Sequence, residues 1–437
     1  MEQEFMNYPR FTPEMKKTHK ILIPNMAPVQ FRILAAAMEH QGYQVELLEN
    51  CGSQVAELGL KYVHNDTCYP ALLVIGQFLD ALNSGRYDLD HTALIITQTG
   101  GGCRASNYIF LLRKALEKAG YGNIPVLSLN FSGLEKGNSL PMDLTFIRMA
   151  LAAIYYGDLL VTLKAQTAPY ETHPGDAAAL QEKWLDSICQ WVHAGKGFSQ
   201  REMKAAMPKI AAEFAAIPVH RVPKVKVGVV GEIYVKYSPL GNNDLENFLA
   251  TQDCEVNLPG LMGFVQYCAY NPSETARLYG GSFLEKHISD LILGYIAQME
   301  KVIIHALKDN GYHAPLPFSE LTELTEGLIS KGDKMGEGWL LTAEMAELIR
   351  SGYENIICAQ PFGCLPNHIC GKGMINKLRE LYPQANITPI DYDPSATRVN
   401  QENRIKLMLA VARERLAEKA EAQESKTRAG EQEPVLV

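Results

Sequence analysis

The sequence predicts an α/β protein: two Rossmann-like domains with parallel sheets, joined by a helical layer. Short apolar runs such as ILIP, ALIITQT, KVKVGVVG and NIICAQ read as strands buried on both faces. Most of them are followed by segments with helical spacing, the alternation that builds parallel sheets. At 437 residues the chain also exceeds what one hydrophobic core usually organises.

In chain order, a strand at ILIPN leads into the helical stretch PVQFRILAAAMEHQGY and a second strand, QVELLEN, which is a βαβ opening. ALIITQTGGG, SNYIFLLRKALEKAGY and PVLSLN repeat the pattern as strand, helix and strand. From about Pro141 to Ile217 strand signals disappear and three helical segments follow one another, interrupted by the turn-rich QTAPYETHPGD. Alternation restarts at Lys224 with KVKVGVVGEIYV, then NNDLENFLATQD, CEVNLPG, a long helical region, NIICAQPFG, GKGMINKLRELYP and NITPIDYDPS. The expected division is an N-terminal arm (1–19), a first α/β domain (20–165), a helical linker region (166–222), a second α/β domain (223–415) and a charged, disordered tail (416–437).

Apolar residues make up 47% and charged residues 21%, so a packed core is expected and wholesale disorder is not. Lys plus Arg number 41 against 49 Asp plus Glu, a net charge of −8 without a basic cluster, which speaks against nucleic acid as a partner. The N-terminus lacks the apolar core of a signal peptide and no apolar run reads as a bilayer span, so a cytoplasmic protein with no membrane partner is expected. Nine cysteines in a chain of this size are then core residues, reactive thiols or ligands, not a disulfide framework.

Three cysteines share one setting, a turn before a helix: Cys68 in HNDTCYPA, Cys103 in TQTGGGCRASNY and Cys364 in AQPFGCLPNHICGKG. Cys103 and Cys364 follow strands, so both emerge at carboxyl ends of parallel strands, where open α/β sheets place ligands. Gly100 to Gly102 and Gly363 let backbone approach an inorganic cluster, and helix N-termini favour thiolate over thiol. Cys51, Cys189, Cys254, Cys268 and Cys358 read as small core residues. Cys370 is either a fourth ligand, closing the cluster, or a packed residue at the start of a helix, leaving one iron open. Thiolates suit Fe–S, Cu(I) and Zn, and zinc is the minor reading because a histidine in such a turn, as His368 is, reads more readily as a satisfied polar group than as a ligand.

The elements NDTCYPA, TGGGCR, VGEIYVKYSPLGNNDLENFL, GEGWLLTAE, CAQPFGCLPNHI and PIDYDPS resemble the 2-hydroxyacyl-CoA dehydratase family, and more narrowly the dehydratase-like region of activase-related proteins, from about Lys20 to Ala410. The resemblance implies a cubane 4Fe-4S cluster, or a double cubane, held between two domains by Cys68, Cys103 and Cys364. It also implies an ATP-dependent activator protein that injects one low-potential electron, and radical dehydration of a 2-hydroxyacyl-CoA substrate. Two other activities fit such a chain: an ATP-coupled cluster reductase of another small substrate, and a non-catalytic electron carrier. The family pairs two related subunits, so a second dehydratase-like subunit or a homodimer is expected. No P-loop glycine motif is present, which makes the ATPase a separate protein.

Around the crevice the candidate acid/base groups are Glu232 and His368, with Tyr234, Asn242 and Asn243 nearby. Asn243 or Asp244 is expected as the N-cap of the helix that follows. Arg104 either offsets cluster charge or fastens a loop.

Overall fold

The computed structural model describes residues 8–64, 66–99, 102–129, 138–281 and 283–430, side chains at 283, 285 and 423–430 excepted. Gly100, Gly101 and residues 431–437 of the expected tail lie outside the described residues.

Strands β1 (Lys20–Pro24), β2 (Gln44–Leu48), β3 (Thr92–Thr97) and β4 (Val126–Leu129) form one sheet in the order β2-β1-β3-β4. All pairs are parallel, with Ile21 opposite Val45 on one side and Ala93 on the other. Strands β5 (Val225–Gly231), β6 (Cys254–Asn257), β7 (Asn355–Pro361) and β8 (Asn386–Tyr392) form a second all-parallel sheet, β6-β5-β7-β8. Each half therefore has the same topology, and each reverses its winding between its first and third strands, the switch point where ligands bind in such sheets.

The connections are helical: α1 (Pro28–His40), α2 (Ser53–Tyr62), α3 (Tyr69–Asn83) and α4 (Tyr108–Ala119) in the first half. Next come α5 (Leu144–Thr167), α6 (Asp176–His193) and α7 (Gln200–Ala215). The second half has α8 (Ile233–Tyr237), α9 (Leu245–Thr251), α10 (Leu261–Tyr279), α11 (Phe283–Lys308), α12 (Trp339–Arg350), α13 (Ile375–Leu381) and α14 (Arg398–Gly430).

Helix α3 decides how the halves meet. Its segment YPALLVIGQFLDAL is apolar on every side, and 13 of its 15 residues are buried. A helix of that kind needs partners all round. One continuous core holds Leu72, Ile75 and Phe78 of α3 together with Val227 and Val229 of β5 and Leu409 of α14. The two domains thus share a core, which the expected boundaries at 165 and 223 do not convey.

The helical layer also begins earlier than the expected 166–222, because α5 already belongs to it. Its inner face, including Met149, Tyr156 and Leu160, packs in one cluster with α1, α6, α7 and, from the second half, Ile296 and Met299 of α11. Among the described residues α5 is the one helix long and apolar enough to cross a bilayer, and here it is packed in the protein core. Asp158 of α5 fastens the layer to the second half: its carboxylate accepts the Leu261 and Met262 amides at 3.1 and 2.9 Å and the Gln30 amide at 2.9 Å.

Helix α14 corrects the expectation for the tail, since it continues through residues 416–430. The stretch LAEKAEAQESK is rich in strong helix formers, so low hydrophobicity there does not mean an unfolded backbone.

Candidate iron–sulfur site

Each of the three cysteines stands at the entrance to a helical turn, because an extended residue there lets the chain leave a loop and start winding. Cys68 is the N-cap residue of α3, and Cys103 caps the short 3-10 turn Arg104–Asn107 that runs into α4. Cys364 follows β7 by three residues and precedes the π-helical turn Asn367–Gly371, a rare backbone form frequent at functional sites.

The three turns meet at the carboxyl ends of the two sheets. The Tyr69 amide donates to the Phe362 carbonyl at 2.9 Å, tying the start of α3 to the end of β7. Gly363 has φ +74°, and a Cβ there would lie 3.0 Å from Cys68 Cα and 3.3 Å from the Thr67 carbonyl oxygen, so the close approach requires glycine. Gly336, φ +60°, fills the gap between the other two turns: a Cβ on it would sit 2.9 Å from Pro366 Cγ and 3.8 Å from Cys103 Sγ. Met335 beside it accepts the Gly102 amide on its sulfur at 3.1 Å.

Cys68 and Cys364 are buried and Cys103 is partly so. The Cys68 thiol shares a 2.7 Å hydrogen bond with the buried Tyr108 hydroxyl. Burial pushes the Cys103 thiol up to about 12, and raises the Cys68 and Cys364 thiols as well. The carboxylates of Glu232 and Glu337 add to the upward push on Cys103 and Cys364. The expectation that helix N-termini favour thiolate is therefore corrected: for the protein groups alone burial outweighs them. Thiolates here need a metal's positive charge beside them.

Glu232 N-caps α8, accepting the Val235 amide at 3.0 Å, and Glu337 accepts the Ile233 amide at 2.9 Å. Burial first, then the neighbouring Glu337, lifts the Glu232 carboxyl to about 8; Glu337 is raised by burial too. Glu337, Tyr108 and Met335 were not singled out in the sequence. Glu337 lies in GEGWLLT, where its position just before an apolar helix was the available signal.

Several expectations fall elsewhere. His368 is exposed; its amide donates to the Cys364 carbonyl at 3.2 Å and its Nδ1 lies 3.0 Å from the Gln360 side-chain nitrogen. Cys370 is buried, its carbonyl accepting the Thr342 hydroxyl at 2.6 Å. Burial lifts its thiol to about 12, with Asp333 and Glu337 as charged neighbours, whereas Cys103 and Cys364 also feel Glu232 and one of the other two thiols. Tyr234 is buried beside Glu232. Asp244 holds the N-cap position of α9, as expected, but makes no side-chain cap bond; that bond comes from Asn242, whose Oδ1 accepts the Leu245 amide at 3.1 Å while its Nδ2 donates to the Val235 carbonyl at 2.9 Å. Asn243 instead donates to Gln401 at 2.7 Å. Arg104 donates to the Asp66 carbonyl, fastening the loop that carries Cys68. Cys254 and Cys358 are core residues as expected, Cys189 is partly buried, and Cys51 and Cys268 are exposed.

Among the described residues no group of three or more His, Cys, Asp or Glu side chains is drawn together tightly enough to hold a single metal ion. Three thiols delivered by three touching turns suit a multinuclear cluster, in which the ligands are shared out over several irons. Soft sulfur donors, burial and two glycine approaches fit that group. No family model matches the chain, and no curated protein matches it.

Proposed function

We propose that Cys68, Cys103 and Cys364 hold a cubane iron–sulfur cluster, and that the chain works as a protein of the 2-hydroxyacyl-CoA dehydratase type, charged with electrons by a separate ATP-dependent activator. The observation that carries this reading is the meeting of the three cysteine turns at the switch points of two sheets of identical topology. When bound, the cluster supplies low-potential one-electron transfer and a Lewis-acidic iron.

The chain's own residues do the rest. Tyr108 orients the Cys68 sulfur through its hydrogen bond. In this reading Glu232, its carboxyl raised to about 8 by burial and by Glu337, holds a proton at neutral pH and is the donor to the departing hydroxyl oxygen. Burial of Cys68, Cys364 and Glu337 keeps water from the reacting centre. On the outer side of the same turn Phe362, Leu365 and Ile369 are exposed apolar side chains beside Cys364, a surface suited to a protein partner.

The test is anaerobic purification followed by iron, zinc and acid-labile sulfide analysis and electron paramagnetic resonance after reduction. Replacing any one of Cys68, Cys103 or Cys364 by Ser is expected to remove most of the iron, because a hydroxyl is a poor substitute for thiolate at such clusters. Cys370→Ala is expected to retain it. Zinc without sulfide, or full iron in all three Ser variants, overturns the proposal; loss of iron from Cys370→Ala favours a closed cluster and an electron carrier.

A further inference from the structure

The C-terminal half of α11 is packed into the helical layer through Ile296, Met299, Ile303 and Leu307, but its N-terminal half reaches past the layer. There Leu284 is 67% exposed, Ile288 48%, Leu291 65% and Ile292 46%. With the half-buried Tyr295, positions 284, 288, 291 and 295 follow the four-three-four spacing of a coiled-coil seam. A seam of that spacing is shaped to receive another apolar helix.

We propose that this face of α11 is a self-association surface, on which α11 of a second copy of this chain packs antiparallel about a two-fold axis. The seam is its own complement. With the axis between residues 289 and 290, Ile288 falls opposite Leu291 of the second copy and Leu284 opposite Tyr295, which is the isologous pairing a two-fold interface requires. Gly294 adjoins the seam, and a Cβ there would meet nothing within 4 Å, so the backbone is open to close approach.

Lys286 and Asp290 lie on the side of the helix away from the seam. They pair at 2.7 Å, and Asp290 also accepts the Ser273 hydroxyl of α10 at 2.9 Å, so that side of α11 faces α10. The area agrees with a dimer as well. The four exposed aliphatic side chains present apolar surface on the order of 400 Å², while a standard interface buries about 800 Å² per partner, of which roughly 450 Å² is apolar.

The test uses the full chain, purified anaerobically, in sedimentation equilibrium at micromolar concentrations. The expected mass is twice the 48.5 kDa of one chain. The double variant I288E/L291E is expected to sediment as a monomer, with far-ultraviolet circular dichroism unchanged because both sites are exposed. A second measurement fixes the register: under mild diamide oxidation an equimolar mixture of the single variants I288C and L291C forms a covalent dimer, whereas either variant alone behaves like the parent chain. A parent chain that is monomeric throughout, a dimer that survives I288E/L291E, or cross-linking by either single variant alone overturns the proposal.

Discussion

Glu347 of α12 is buried, and its Oε1 accepts the Leu316 amide at 2.6 Å. Burial lifts its carboxyl from the ordinary 4.5 to about 7, with Glu344 and Glu300 raising it and Lys236, itself bound to Glu344 at 3.0 Å, lowering it. The folded chain thus keeps a proton that the unfolded chain releases, so this residue's contribution makes stability fall as pH rises from about 4.5 to 7 and leaves it flat above. Glu347→Gln keeps the acceptor and removes the titration. The variant is expected to lose that slope in urea melts and to exceed the parent at pH 8 by about 1–3 kcal/mol. A parallel slope in both proteins would remove the buried-acid account. At this scale legibility was uneven: Cys68, Cys103 and Cys364 stood out because turn residues and glycines surround them. Glu337 and Glu347 look like ordinary surface carboxylates in sequence, and their burial is made by chain segments far away.

Elements were read well where one pattern dominated. β1, β3, β5 and β7 were visible as apolar runs, since strands covered on both faces need no alternation, whereas β2 and β8, with polar residues interspersed and more exposed, were read from their place in the strand–helix alternation. Caps were read less well. Asn243 and Asp244 both adopt left-handed backbone, φ 56° and 61°, which turns the start of α9 so that Asn242, one position earlier, reaches the Leu245 amide. Asn242→Ala strips this cap and leaves the Val235 carbonyl without the Asn242 amide. It is expected to cost about 1–2 kcal/mol in thermal melts, and an unchanged melting temperature would show that the cap is not needed. The charged end of α14 was missed for the opposite reason, because hydrophobic pattern says nothing of a helix carried on by propensity and by contacts such as the 3.0 Å pair of Lys419 with Glu354.

For the whole molecule, repetition of the βαβ pattern gave the two sheets, but how they associate was not legible. It depends on α3, whose uniform apolarity reads equally as a core helix of either half. Because the core around Leu72, Ile75 and Phe78 continues into β5 and α14, the halves are expected to melt in one transition, coincident by near- and far-ultraviolet circular dichroism. Two separated transitions would mean independent cores. The hydrogen bond from the Tyr69 amide to the Phe362 carbonyl then takes on a second meaning. It is a latch across the mouth of the molecule, spanning the walls from which the sulfurs project, so any hinge motion that widens their separation has to release it first. Exchange of that single amide proton with solvent would time how often the mouth opens.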